Sequence, residues 1–184
     1  ARATDFLMKK YPGKYNADEL KVVTCHLGNG SSISAVKGGK CFDTTMGLTP
    51  LEGIMMGTRS GSIDPAIIAV LTEREGLSAK EVDNILNKKS GMLGLTAEYD
   101  ENFNEIPGTA TSDNRTIEGR SKDGDKRAQL VELMLCHQLV KYIGGFAAAM
   151  GGVDAVVFTG GIGENDVHYR TWVAEKLGFL GTTI

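Results

Sequence analysis

The hydrophobic pattern in the first quarter of the chain predicts three strands. Lys21 to Leu27 is typical of a buried strand, and in Ser31 to Val36 apolar residues alternate with polar ones. Gly38-Gly39 suits the two-residue turn of a hairpin, which requires positive φ, and leads into a third strand from Lys40 to Thr45. After a short helical start, we therefore expect three adjacent antiparallel strands.

The spacing of apolar residues then changes and predicts helices. Pro50 to Met56 suggests a helical turn, and Asp64-Pro65 is a typical helix start, with the helix running to about Glu73. Ser78 to Glu81 is a capping box that opens a helix ending near Lys89. The longest predicted helix, Lys126 to Met150, has an apolar face formed by Leu130, Leu133, Met134, His137 and Val140.

The end of the chain predicts a strand, a turn and a helix in succession. Ala155 to Thr159 is a continuous apolar run, Gly160 to Gly163 reads as a turn, and Asp166 to Leu177 as a helix. This order favours an α/β fold whose ligand lies beyond the carboxyl end of the strand. The polar stretch from Glu98 to Gly124 exceeds the 12 to 15 or so residues of ordinary loops, which predicts a functional loop or an insertion.

Composition narrows the class of protein. With 184 residues, 41% of them hydrophobic, the chain is expected to form a single domain. A net charge of -3 offers no basic field for nucleic acid, and no stretch reaches the 18 or so apolar residues of a membrane span. Three cysteines without a CxxC pair argue against a disulfide framework or a zinc site and suit a reducing cytosol. The chain begins without methionine, and we expect it to be part of something longer.

Two glycine clusters each follow an apolar strand. In Gly28-Asn29-Gly30-Ser31-Ser32 and Gly160-Gly161-Ile162-Gly163, backbone N–H groups freed by a turn can converge on an anion, and Asn29 and Ser31 add neutral hydrogen-bonding groups. The alternative for either cluster alone is a simple hairpin turn. Neither forms GxGxxG, and Gly39-Lys40 is followed by Cys41, so the Rossmann and P-loop fingerprints are absent.

A few polar side chains are candidates for chemistry. His26 ends a strand beside the first glycine cluster, where it is either a hydrogen-bonded core residue or an electrophile. Its neighbour Cys25 must point to the opposite face of the sheet, which excludes a local Cys-His dyad. Arg59, between Gly57 and Gly61, either reaches a transferring phosphoryl group or lies exposed on the surface.

Other polar residues give weaker signals. Asp113 and Arg115 either meet a ribose or base edge or are simply solvated, and His137 and His168 have the setting of structural residues. No GxSxG elbow and no HExxH motif occurs. One acidic stretch matches no EF-hand spacing and is interpreted mainly as a solvated loop; it comprises Glu98, Asp100, Glu101, Glu105, Asp113 and Glu118.

Four longer motifs together resemble the acetate kinase family. They are His26-Leu27-Gly28-Asn29-Gly30-Ser31-Ser32, the run from Asp43 to Gly53 (DTTMGLTPLEG), Met56-Gly57-Thr58-Arg59-Ser60-Gly61, and Phe158-Thr159-Gly160-Gly161-Ile162-Gly163-Glu164-Asn165. The resemblance extends over nearly the whole chain. It implies reversible phosphoryl transfer between ATP and acetate, a homodimer, magnesium, and the ribonuclease-H-like fold of actin-like ATPases and of acetate and sugar kinases, with a mixed sheet of three antiparallel plus parallel strands flanked by helices.

The resemblance also implies roles for individual residues. Arg59 matches the arginine that stabilises the in-line transition state, and His26 is expected to assist it. The residues that match the phosphate-contacting loop are His26, Leu27, Gly28, Asn29 and Gly30; those that match the nucleoside triplet are Asp113, Asn114 and Arg115; those that match the second nucleotide loop are Gly161, Ile162, Gly163, Glu164 and Asn165. No metal ligand is assigned to the chain.

The chain departs from the family pattern mainly in extent. It matches the carboxyl-terminal, nucleotide-binding domain, while the amino-terminal domain with most of the acetate pocket has no counterpart here, and a magnesium-linked glutamate would lie beyond Ile184. Ala97 to Ala110 looks inserted relative to many members. We therefore expect the chain to bind nucleotide without turnover. A propionate or butyrate acceptor, another phosphoryl donor such as pyrophosphate, and a non-catalytic nucleotide-binding or dimerising fragment stay open as alternatives.

Overall fold

The structure is a computed structural model that describes residues 2–182. The chain forms two compact units. The first unit joins the residues up to Met46 with those from Cys136 onward, and the second comprises Gly47–Leu135. The eight helices and four strands described are α1 (Arg2–Lys10), β1 (Lys21–His26), β2 (Ser32–Lys37), β3 (Lys40–Thr44), α2 (Ala66–Glu73), α3 (Ala79–Lys88), α4 (Gly91–Thr96), α5 (Asn114–Lys122), α6 (Lys126–Met150), β4 (Ala155–Thr159), α7 (Gly160–Asn165) and α8 (Val167–Lys176). A short 3-10 helix, Gly178–Leu180, follows.

The first unit contains a four-stranded mixed sheet in the order β3-β2-β1-β4. The strands β1, β2 and β3 are antiparallel neighbours, whereas β4 runs parallel to β1. Gly38 and Gly39 have φ angles of 55° and 74°, the left-handed backbone that a two-residue hairpin turn requires. The predicted strands, the hairpin and the α/β class are confirmed.

One face of this sheet is buried. Residues that pair directly across two strands lie on the same face of a sheet. Val23 pairs with Ala35 and Cys25 with Ile33, and all four side chains are buried. Helices of the same unit also have buried side chains, namely Leu139, Ile143, Phe146, Ala147, Tyr169 and Val173. The strand β3, at the sheet edge, stays exposed along its length.

The second unit contains α2 to α5 and the start of α6. The capping box is confirmed: the Ser78 side chain accepts a hydrogen bond from the N–H of Glu81, whose carboxylate accepts from the N–H of Ser78. Helix α2 begins close to the predicted start, and the Asp64 carboxylate accepts a hydrogen bond from the N–H of Ala66 at 2.9 Å. The helical turn predicted at Pro50 to Met56 is wrong, since this segment forms turns and bends and buries its last three side chains together.

The prediction for α6 is confirmed in its bounds and wrong in its face. Leu130, Leu133 and His137 are exposed. The buried residues of α6 are Ala128, Val131, Glu132, Leu135, Cys136, Leu139, Ile143, Phe146, Ala147 and Met150. The helix is apolar on more than one side, so periodicity alone does not select the side that is buried. By length and composition alone α6 would pass as a membrane span, as a core helix of a globular protein also does.

Two loop predictions also differ from the structure. The second half of the stretch from Glu98 to Gly124 is helix α5, and its first half is a small hairpin closed by a bridge between Tyr99 and Glu105. The turn predicted at Gly160 is the first residue of helix α7, entered with a φ of 79°. Because this left-handed glycine directly follows Thr159, the last residue of β4, the chain passes from strand to helix without a separate loop.

Candidate functional site

The two glycine clusters meet at the ends of two parallel strands in the first unit. His26 and Thr159 are paired residues at the carboxyl ends of β1 and β4. The N–H of Leu27 donates to the Thr159 carbonyl at 2.8 Å. The Leu27 carbonyl in turn accepts hydrogen bonds from the N–H groups of Ile162 at 3.0 Å and Gly163 at 3.3 Å. The first loop and the second loop are therefore joined through the backbone of one residue.

Gly160 permits this close approach. A Cβ at this position would lie 2.5 Å from the Leu27 carbonyl oxygen, 3.0 Å from the carbonyl carbon and 3.1 Å from the His26 ring. The 2.5 Å distance is shorter than real Cβ contacts, the other two are tight, and the φ of 79° independently favours glycine. Gly160 is thus required both for the turn into α7 and for contact with the first loop.

The first loop, Gly28 to Ser31, is closed on itself. The buried Ser31 hydroxyl donates to the Gly28 carbonyl at 3.0 Å, and the Gly28 N–H approaches the same hydroxyl at 3.2 Å. Ser31 therefore shapes the loop from inside, which corrects the expectation that its hydroxyl is available to an anion. Asn29 is exposed at the loop tip, between the half-buried Gly28 and Gly30.

His26 lies at the open edge of this junction. Its side chain is exposed, and Nδ1 is 3.1 Å from the Thr159 hydroxyl, a contact that orients the ring. The adjacent Cys25 is fully buried on the other face of the strand, and burial raises the pKa of its thiol to about 12. Cys25 is therefore excluded as a nucleophile. Because His26 is exposed, the interpretation of it as a core residue is wrong.

The second loop is helix α7, which is half exposed. Gly161, Glu164 and Asn165 are exposed, Ile162 is half-buried and Gly163 is buried. The Asn165 amide donates to the Gly161 carbonyl at 2.8 Å, across the length of the helix. The N–H groups of Ile162 and Gly163 already have Leu27 as partner, so these two residues shape the loop rather than offer donors to a ligand.

Arg170 is a residue of this site that the sequence did not reveal. Its guanidinium Nη1 donates to the carbonyls of Gly163 at 2.8 Å and Glu164 at 2.7 Å. Arg170 belongs to α8, the helix that follows, and its contact exists only because α8 turns back onto α7. No local motif signals such a contact.

Arg59 lies in the second unit, in a loop held by hydrogen bonds from two helices. The N–H groups of Met92 and Leu93, at the start of α4, each donate at 2.9 Å to carbonyls of Met56 and Gly57, and the Thr58 hydroxyl donates to the Asn87 carbonyl of α3 at 2.9 Å. Gly91, another residue missed from the sequence, has no room for a side chain, because a Cβ there would lie 2.2 Å from the Met56 carbonyl oxygen.

Among residues 2–182, the partners of the Arg59 guanidinium are weak and neutral. Nη1 lies 3.4 Å from the Pro50 carbonyl oxygen and 3.7 Å from the Met56 sulfur. The side chain is half-buried, and no ion pair among residues 2–182 involves it. A loop fixed by these hydrogen bonds thus carries a guanidinium that no carboxylate in the described part of the chain neutralises, which suits recognition of an anion.

The triplet Asp113 to Arg115 also belongs to the second unit and begins helix α5 instead of lying within a loop. Asp113 is the N-cap, and its carboxylate accepts from the N–H of Arg115 at 2.9 Å and from the Arg115 guanidinium at 2.8 and 3.2 Å. These hydrogen bonds and the charge of Arg115 hold the pKa of the Asp113 carboxyl below its usual range. Asp113 and Arg115 are exposed and Asn114 is half-buried.

Within residues 2–182, no group of three or more His, Cys, Asp or Glu side chains is arranged to hold a metal ion. The structure places the loop His26 to Gly30 beside Gly161 to Asn165 in the first unit. Arg59 and Asp113 to Arg115 are each held in defined positions within the other unit.

The comparisons with known proteins give the family. The sequence matches the acetokinase family over residues 7–184. The chain belongs to this family. It is 55% identical over 167 residues to the acetate kinase of Carboxydothermus hydrogenoformans, covering 91% of this chain and 39% of that protein. The acetate kinase of Treponema denticola is 52% identical over 171 residues, covering 93% of this chain and 40% of the relative.

Solved structures agree with this family assignment. The acetate kinase of Porphyromonas gingivalis superimposes with a TM-score of 0.84 at 41% identity, covering 97% of this chain and 41% of its own. A propionate kinase from Francisella tularensis gives a TM-score of 0.82 at 38% identity, covering 97% and 42%. The expected fold of actin-like ATPases and acetate kinases is confirmed. The chain spans about 40% of the length of these relatives.

Proposed function

We propose that the chain is the carboxyl-terminal, nucleotide-binding domain of an acetate kinase. The complete enzyme would transfer the γ-phosphoryl group of ATP reversibly to acetate, giving acetyl phosphate and ADP. The observation that carries the proposal is the junction of the two glycine loops through the Leu27 carbonyl at the ends of β1 and β4. In open α/β sheets ligands bind at the carboxyl ends of strands, and this junction occupies that position.

The nucleotide phosphates would contact the first loop, and the second loop would hold the rest of the nucleotide. Gly28 and Gly30 let the backbone approach a phosphate closely, and the exposed Asn29 amide can donate a hydrogen bond. Gly161, Glu164 and Asn165 present the exposed side of α7. Asp113, Asn114 and Arg115 would meet the nucleoside through the polar groups at the start of α5.

The reaction we propose has no covalent enzyme intermediate. A carboxylate oxygen of acetate attacks the γ-phosphorus in line, a new bond from this oxygen to phosphorus forms, and the bond to the bridging oxygen breaks to release ADP. Arg59 would stabilise charge on the equatorial oxygens, because no carboxylate of residues 2–182 forms an ion pair with its guanidinium. His26 would donate a hydrogen bond to the same group, with its ring oriented by Thr159.

Magnesium, when bound with the nucleotide, would neutralise phosphate charge. Such ions in kinases are held by substrate phosphates and one or two carboxylates. The described residues offer no metal cluster of their own, so we assign no step of this chain to the ion. A homodimer and a cytoplasmic location, where ATP is supplied, complete the proposal; sedimentation of the complete enzyme at several concentrations tests the dimer.

A chimeric enzyme tests the catalytic proposal. In the acetate kinase of Carboxydothermus hydrogenoformans, the 167 aligned residues are replaced by those of this chain, and acetyl phosphate formation is measured. We expect turnover within about tenfold of the parent enzyme. An inactive but folded chimera that still binds ADP would instead make the chain a binding or dimerising fragment. Sequencing the DNA on both sides tests the carboxyl-terminal placement, which requires most of the reading frame to lie upstream.

Propionate is a second candidate acceptor, because the propionate kinase structure superimposes almost as well as the acetate kinase structure. The residues that choose between the acceptors would lie mostly outside this chain. The test uses the enzyme encoded by the complete reading frame. We would measure kcat/KM for acetate, propionate and butyrate, each with ATP and with pyrophosphate. These values identify both the preferred acceptor and the preferred phosphoryl donor. A higher kcat/KM for propionate than for acetate would show that propionate is the preferred substrate.

A further inference from the structure

Arg170 connects helix α8 to the carbonyl end of helix α7. Its Nη1 donates to both the Gly163 and the Glu164 carbonyls, at 2.8 and 2.7 Å. We propose that Arg170 is a positioning residue that holds the second glycine loop in its nucleotide-binding shape. We call the two hydrogen bonds from Arg170 to α7 the clamp. The clamp is a property of the fold, but its expected effect on nucleotide affinity rests on the proposed function.

Helix α7 is a segment that cannot hold its own shape. It has six residues, three of which are glycine. Isolated helices shorter than about 12 to 15 residues are marginal in water, and glycine lowers helix stability further. External hydrogen bonds must therefore fix α7 in place.

The structure supplies such bonds at both ends of the helix. The N–H groups of Ile162 and Gly163 donate to the Leu27 carbonyl of the first loop. Arg170 binds the carbonyls at the opposite end, where a cation is also favoured by the helix dipole. Gly163 takes part in both contacts: its N–H donates to Leu27 and its carbonyl accepts from Arg170. Loss of the Arg170 contact should therefore also weaken the hydrogen bond to Leu27.

Arg170 is itself held firmly. Helix α8 is capped by the buried Asp166, whose carboxylate accepts from the N–H of Tyr169 at 3.1 Å. Tyr169 and Val173 of this helix are buried. The Arg170 side chain is half-buried, and none of the ion pairs found within residues 2–182 includes it. Its charge is thus met by the carbonyls of α7, as a positioning role requires.

Two measurements on the 184-residue chain test the inference. Amide hydrogen exchange of Gly160 to Asn165 and the dissociation constant for ADP are compared in the native chain, Arg170→Met, Arg170→Lys and the control Arg74→Met, an exposed arginine at the end of α2. In Arg170→Met we expect exchange in α7 to rise at least tenfold, with β1 and α8 unchanged, and ADP affinity to fall about tenfold. Arg170 Nη1 alone donates to both carbonyls, and a lysine Nζ could do the same. Arg170→Lys should therefore keep exchange in α7 and ADP affinity close to those of the native chain.

The outcomes are separable. Unchanged exchange in α7 of Arg170→Met overturns the clamp, and raised exchange with unchanged ADP affinity overturns the positioning role. If Arg170→Met fails to fold, Arg170→Lys decides: native-like exchange and affinity support the inference, and native-like exchange with lost affinity contradicts it. If the native chain itself binds no ADP, the proposed function fails, and the exchange data alone decide whether Arg170 holds α7.

Discussion

The Leu27 carbonyl oxygen accepts a hydrogen bond from the Ile162 N–H at 3.0 Å, and this bond joins the end of a strand to the helix that follows its parallel neighbour. A displacement of α7 must therefore disturb the backbone just before Gly28. The two glycine loops behave as one structural unit, and single substitutions in either should affect both.

Gly160→Ala should damage this junction severely. Its Cβ would stand 2.5 Å from the Leu27 carbonyl oxygen, in a backbone conformation with a φ of 79° that side chains rarely adopt. We expect the free energy of unfolding, measured by urea denaturation, to fall by more than about 2 kcal/mol. ADP affinity should fall in any protein that still folds.

The matched control for this substitution is Gly145→Ala. Gly145 is exposed within α6, and nothing lies within 4 Å of a Cβ there. Alanine should be neutral or stabilise the helix by up to about 1 kcal/mol. Equal stability losses in the two variants would show that the contact between Gly160 and Leu27 is not the cause.

Arg59→Ala, introduced into the active chimera, should reduce kcat by about 10³-fold or more and change the KM for ATP only slightly. The contacts of the guanidinium with Pro50 and Met56 are weak and neutral, so its removal should leave the fold intact. An arginine that acts on the transferring phosphoryl group contributes about 10³ to 10⁵ to kcat.

The control in the same chimera is Arg74→Ala, which removes an exposed arginine of the same unit. A steady-state assay of acetyl phosphate formation gives both constants. If Arg59→Ala raised the KM for ATP and kept kcat, Arg59 would be a nucleotide-binding residue rather than a transition-state residue.

Arg120 should be important for stability and not for chemistry. Its guanidinium is mostly buried and binds the Asp125 carboxylate at 2.6 Å, the Glu98 carboxylate at 3.3 Å and the Thr109 carbonyl. It thereby ties both stems of the hairpin near residue 100 to the start of α6. Arg120→Met should lower the free energy of unfolding by about 2 kcal/mol at pH 7.

The pH dependence follows from Asp125. Burial raises the pKa of its carboxyl, but hydrogen bonds from Arg120 and from backbone N–H groups of Ala128 and Arg127 outweigh that effect and lower it. A lowered pKa in the folded state stabilises the fold above the unfolded pKa, and this contribution is lost as pH falls through the folded value. The stability difference between native and Arg120→Met chains should therefore shrink as pH falls below about 4, the ordinary pKa of an aspartate. A difference that grows in acid would contradict this account.

The fold could be predicted where local signals were strong. The strands, the Gly38-Gly39 hairpin and the capping box at Ser78 depend on neighbouring residues and were predicted correctly. The buried face of α6 could not be predicted, because Leu130 and Leu133 are as apolar as the residues that are buried. The turn predicted at Gly160 is a helix, since its conformation is decided by contact with Leu27, which is distant in sequence.

The candidate site shows the same division. Glycine clusters after strands identified both loops, and the structure joins them. Arg170 and Gly91 were missed because their partners, the Gly163 and Met56 carbonyls, come close only in the folded chain. Ser31 was interpreted as a ligand group, and its burial reverses that interpretation. Side-chain direction at a loop depends on the completed core, which sequence spacing does not specify.

Calorimetric titration of ADP and adenosine into the 184-residue chain tests the central claim most directly. If the joined loops bind phosphates, one ADP should bind per chain with a dissociation constant below about 1 mM, and at least about tenfold more tightly than adenosine. Absence of ADP binding by the folded chain, or equal affinity for adenosine, would contradict the assignment of these loops to the nucleotide phosphates.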